Sequence, residues 1–213
     1  MMSYLINSWQ ALIQMSIYLF SRGYWFYCVT IFPERKKDKW EKIDHKLITR
    51  YRCEKSKFQR ARRKKKGLMN FYYLRWEAIS LIFHTLGKPD VVLEDRFVDV
   101  RKKPLEIQVS DLISVVIYHD QKNGKFTCKL SKKTYRGFKH VFWETARTQN
   151  KSVLLKEWNK INGLPNWSGI IEQKARLKRY LLKEALSNQI KIQDKDLRFW
   201  TKRKVHKIWA DPA

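Results

Sequence analysis

Six acids crowd into residues 90–111 (Asp90, Glu94, Asp95, Asp99, Glu106 and Asp111), and ten Lys or Arg stand against one acid over residues 50–66. Carboxylates on neighbouring strands are what a hard divalent cation such as Mg²⁺ requires, and a metal held there could activate water against a phosphoester. Asp90 and Glu106 are the residues placed for that role. A tyrosine hydroxyl on a helix could instead act as the nucleophile, and Tyr180, with Lys183 one turn later, is the candidate. The other chemistry on offer is binding. A run of cations with almost no acid cannot form the i,i+4 pairs of an ordinary solvated helix, and it is suited to displacing counterions from a phosphate backbone.

The strongest tract for phosphate contact is Arg50, Arg52, Lys57, Arg60, Arg62, Arg63, Lys64, Lys65 and Lys66. A second lies within 122–139, where Lys132 and Lys133 stand out. The third is the tail, in which Arg198, Lys202, Arg203 and Lys204 alternate with aromatic residues. Rings interleaved with cations are the chemistry of single-strand binding, and Trp200 is a stacking candidate on that ground. On the strand around 71–76, Phe71, Tyr73 and Arg75 share one face, which makes Phe71 and Tyr73 two more candidates.

Three short patterns resemble known families. Pro89-Asp90 followed by Leu105-Glu106-Ile107-Gln108 resembles the PD-(D/E)xK nucleases, with Gln108 standing where that pattern has lysine. Tyr180-Leu-Leu-Lys183 and the strand-like Val29–Pro33 resemble rolling-circle nicking enzymes, although Ile82-Phe83-His84 offers one histidine where their metal site uses two. Lys66-Gly67 with Phe71 and Tyr73 is similar in part to the RNA-recognition-motif signature; the aromatics expected directly after the glycine are replaced by Leu68, Met69 and Asn70. The first two resemblances imply a metal-dependent nuclease. That activity is the alternative to plain nucleic-acid binding and the only reading that asks for a cofactor, Mg²⁺.

The totals agree with a polyanion partner. The 213-residue chain carries 46 Lys and Arg against 20 Asp and Glu, a formal charge of +26, and a body so charged repels itself until neutralised. Aromatics reach 14%, so the chain is a folded protein and not a disordered basic tail. The three cysteines, Cys28, Cys53 and Cys128, have neither zinc nor disulfide spacing. The expectation is a nucleic-acid-binding protein, for DNA or RNA, lodged inside the cell in the cytoplasm or on the nucleoid. Its size, and the lack of any cofactor motif, suit an accessory factor of a mobile element, of replication or of a ribonucleoprotein.

The elements that must position these residues follow from periodicity. Residues 24–32 read as a buried strand stopped by Pro33. Trp40, Ile43, Leu47, Ile48 and Tyr51 recur at helical spacing and begin a long basic helix, with Ser56 able to cap a second piece that Gly67 ends. Residues 68–86 make a strand pair or one long bent strand, 105–119 a strand or two, and Asp120–Gly124 a hairpin turn in which Asn-Gly supplies positive φ. From Ser131 the pattern is helical, with Ser168 as cap of the last helix. The fold class is therefore α+β, an antiparallel sheet with a long basic helix after its first strand and a mainly helical C-terminal half. Three regions follow: an apolar segment 1–21, a basic α+β domain 22–150 and a helical extension 151–213. Polar residues interrupt the apolar segment, which reads as poorly packed or spurious, with Met15 as an alternative start. A core helix ranks next, and a membrane anchor, which would make this a membrane-associated basic protein, ranks last.

Overall fold

The computed structural model describes residues 4–202 and 204–210, so Arg203 lies outside the described residues. The protein is α+β and divides into two compact units. Unit 1 comprises residues 1–105, 118–126 and 206–213, and unit 2 comprises 106–117 and 127–205. The expected boundary between 150 and 151 falls inside unit 2.

Unit 1 is built on an antiparallel sheet of order β2-β3-β1-β4: β1 Phe26–Ile31, β2 Phe71–Trp76, β3 Ile79–His84 and β4 Val98–Asp99. Opposite Tyr72, Phe83 and Tyr27, which are in register across three strands, lies α1 (Trp9–Ser21), whose Phe20 ring sits 5.4 Å from Phe83 and 6.1 Å from Tyr27. On the other face Phe71, Tyr73 and Ile82 pack with Tyr4, Ile48, Tyr51 and Cys53. Ile48 belongs to α2 (Trp40–Arg50), and Tyr51 closes that helix.

The expectation that this segment is poorly packed is corrected for its described residues, 4–21, by this packing. Ala11, Leu12, Ile13 and Phe20 are wholly buried. The polar interruptions are largely put to use. Ser8 caps the helix, Ser21 donates to the Ile17 carbonyl, and Gln14 exchanges hydrogen bonds with the backbone of His206. No helix among the described residues is long and apolar enough to cross a membrane.

The long basic helix is two helices. Positive φ at Arg52 breaks the chain after α2, and α3 (Lys57–Lys65) restarts from a capping box in which Ser56 accepts from the Gln59 amide and Gln59 Oε1 accepts from the Ser56 amide. After α3, Gly67 accepts from Lys88 and Lys88 accepts from Met69, tying the exit of α3 to the loop that follows β3. Gly87 makes this contact possible. Its φ is +144°, and a Cβ there would lie 2.7 Å from the backbone of Leu68 and Met69.

In unit 2, β5 (Leu105–Gln108), β6 (Ser114–Asp120) and β7 (Lys125–Leu130) form a sheet of order β5-β6-β7, with the β6–β7 turn running on into unit 1. That turn takes its positive φ from Gly124 alone, while Asp120 accepts from the Lys122 amide and the Asn123 side chain. The helices are α4 (Lys132–Arg147), α5 (Lys151–Asn159) and α6 (Ser168–Ser187), and Trp167, not Ser168, is the α6 cap.

Lys174 on α6 is wholly buried and donates to the Leu164 carbonyl (3.1 Å) and Asn166 Oδ1 (2.6 Å). Burial brings its ammonium from 10.5 down to about 8. The folded state releases this proton earlier than the unfolded chain, so between these two values the unfolded state binds more protons and stability rises with pH. The full swing is on the order of 3 kcal/mol. Urea unfolding of the wild type and of Lys174→Met between about pH 7.5 and 10 should show the difference moving in favour of the wild type as pH rises. A difference that does not change with pH contradicts this.

Candidate nucleic-acid interface

Helix α3 has no buried residue, so apolar packing does not set which face it turns inward. Two arginines do. Arg63 holds both oxygens of Asp90 (2.6 and 2.8 Å) and the Met69 carbonyl, and Arg60 donates to the Cys53 carbonyl with its guanidinium 4.5 Å from the Tyr72 ring centre. Asp90 also accepts from Arg52 at 3.2 Å, and Arg50 pairs with Glu94 at 2.8 Å. Four of the expected phosphate contacts, Arg50, Arg52, Arg60 and Arg63, are thus engaged within the protein.

The others point outward. Lys57, Arg62, Lys64, Lys65 and Lys66 are exposed, and none is ion-paired with a carboxylate of the described residues. Arg62, Lys65 and Lys66 line, with Lys55, Gln59, Arg63 and Leu68, an open groove of about 450 Å³. The cations at the C-terminal end suit the helix dipole, which is worth about 0.3–1 kcal/mol for a charge in the last turn. Lys57 in the first turn opposes it, so the dipole accounts for the cations of the last turn but not for Lys57.

A second groove in unit 1, of about 480 Å³, lies between α1 and α3. Tyr24 and Tyr72 meet edge to face in its lining (6.1 Å, 89°), and burial raises both phenols. Tyr18 of α1 and Arg22 at its C-cap stand on one side, Lys57 and Arg60 of α3 on the other. Sequence reasoning did not mark Tyr18, Arg22, Tyr24 or Tyr72. The one available signal was the spacing of Tyr18 and Arg22, four residues apart on one helical face with the guanidinium 5.3 Å from the ring centre.

Comparison of the chain with protein-family models, curated proteins and solved structures found no match.

The remaining candidates fall in different places. Phe71 and Tyr73 are corrected as stacking residues: they are 3% and 0% exposed beneath Tyr51 and Tyr4, and the Tyr73 hydroxyl donates to buried Asp44 at 2.6 Å. Trp200, by contrast, is 68% exposed in unit 2, its amide held by Asn162 Oδ1. Arg198, Lys202 and Lys204 are exposed along the same irregular tail, and Lys132 and Lys133 are exposed in the first turn of α4.

The catalytic candidates are committed elsewhere. Asp90 seats α3, and the hydrogen bonds from Arg63 hold its carboxyl below the usual range. Glu106 accepts from the Ser114 hydroxyl at 2.6 Å. Burial and a hydrogen bond with Glu184 push the Tyr180 phenol up, the wrong direction for a nucleophile, and Lys139 covers its ring at 4.2 Å. Among the described residues no three His, Cys, Asp or Glu side chains gather as a metal-binding group.

Proposed function

We propose that this protein binds nucleic acid through the phosphate backbone, with the outward face of α3 as the principal contact. The observation that carries the reading is the division of labour on that helix. Arg60 and Arg63 fasten it to the sheet and loops of unit 1, while Lys57, Arg62, Lys64, Lys65 and Lys66 face solvent without carboxylate partners among the described residues. A helix kept in place by its inner cations and left unneutralised on its outer face has the electrostatics of a polyanion contact. Base-edge readout is expected to be minor, because Gln59 is the one amide side chain on α3. An intracellular role as an accessory factor of nucleic-acid metabolism, in a mobile element, in replication or in a ribonucleoprotein, fits such sequence-tolerant binding.

The test is lysine footprinting. Acylation of the full chain, with and without a saturating duplex, should slow at Lys57, Lys64, Lys65 and Lys66 by about tenfold or more, as expected for cations in phosphate contact. Uniform protection of all lysines, or none on α3, would overturn this placement.

A further inference from the structure

From the groove between α1 and α3 we infer a slot for an unpaired nucleobase, so that single strands are gripped by base as well as by backbone. The inference rests on the phosphate-binding reading and adds a ligand class to it.

The lining explains the choice of ligand. Leu19, Tyr24 and Tyr72 are buried and give the slot an apolar, aromatic base, and Tyr18, 49% exposed, gives it a ring accessible from solvent. Around these stand Arg22, Lys57 and Arg60, and no acid is among the lining residues. Rings with cations and no carboxylate suit a ligand that is flat and aromatic at one end and anionic at the other. A nucleotide has that form: its base stacks on a phenol ring while its phosphate meets a guanidinium or ammonium. The volume, about 480 Å³, lies among ligand clefts, which span about 300–1,000 Å³.

Continuity with α3 selects a strand over a free nucleotide. Lys57 and Arg60 belong to the helix whose outer residues Arg62, Lys64 and Lys65 face solvent, so one backbone could cross α3 and lay a base into the slot. A duplex keeps its bases stacked and paired, and it would use the outer cations alone.

Binding of the full chain to a labelled single strand, to the same strand with abasic sites and to a duplex of equal length tests this, with DNA and RNA arms. The wild type should prefer the base-bearing strand over the abasic one by about tenfold, the scale of a single stacked base. Tyr18→Ala should erase that preference and leave duplex affinity unchanged, which also serves as its folding control; Tyr18→Phe should restore it. Equal affinity of the wild type for abasic and base-bearing strands overturns the slot while leaving the phosphate reading intact. So does a Tyr18→Ala loss that is the same for strand and duplex. A free mononucleotide that binds in a Tyr18-dependent way, while strands ignore Tyr18, would assign the groove to small nucleotides and overturn the strand reading. Failure to bind any nucleic acid overturns both.

Discussion

Changing Arg62, Lys64, Lys65 and Lys66 together to alanine should weaken nucleic-acid binding on the order of a thousandfold near 0.15 M salt. Each cation that neutralises a phosphate adds about 0.9 to the log–log salt slope, which at that salt is about 0.7 of a decade in affinity, and four such contacts make about three decades. The fold should survive, because these side chains are exposed and alanine is the better helix former. Arg60 and Arg63 must be left in place. Removing Arg63 would leave Asp90 with Arg52 alone and unfasten α3 from it, and removing Arg60 would free the Cys53 carbonyl and uncover Tyr72, so affinity would fall through loss of structure. Fluorescence anisotropy with a labelled duplex measures the change. A loss below about tenfold, too small for even two lost phosphate contacts, would move the interface off α3.

The second large effect is on stability. Asp44 is wholly buried and accepts from the Tyr73 hydroxyl at 2.6 Å and from Arg75 Nε at 2.7 and 3.0 Å. Burial pushes its carboxyl up, and the bonds from Tyr73 and Arg75 oppose that rise. Asp44→Ala should cost about 3–5 kcal/mol, because it leaves a largely buried guanidinium without a counter-charge. It also leaves the Tyr73 hydroxyl without an acceptor inside the core. Replacing Arg75 by methionine in the same chain should recover part of the loss, since the uncompensated charge is then gone. Urea unfolding gives the values. A cost under about 1 kcal/mol would place the pair in the class of solvated surface bridges.

Much of the scaffold was legible in the residues. β1 with its Pro33 stop, the β2–β3 hairpin, the Ser56 cap and the helical run after Ser131 all follow local chemistry that short windows contain. The orientation of α3 was not legible. Its one large apolar residue, Phe58, is 77% exposed, so no hydrophobic stripe announces the inner face. The inner face is set by Asp90, which lies 27 residues beyond Arg63 in sequence. For the same reason Arg60 and Arg63 could not be told from Arg62 and Lys64 by composition.

The strand 71–76 failed differently. Its alternation shows two faces, but whether a helix covers each depends on α1 and α2, which its own residues do not encode. Segment 1–21 misled because its polar residues resemble interruptions in a hydrophobic run, whereas Gln14 and Ser8 are satisfied by His206 and by the helix's own first turn.

The salt dependence of binding tests the central claim most directly. Affinity of the wild type and of the Arg62, Lys64, Lys65 and Lys66 alanine variant would be measured from about 50 to 500 mM salt on one duplex. If the outer face of α3 holds phosphates, the wild type will show a steep linear log–log slope and the variant a slope shallower by about 3 to 4, the share of four contacts. Parallel slopes for the two proteins, or a wild-type affinity indifferent to salt, would contradict it.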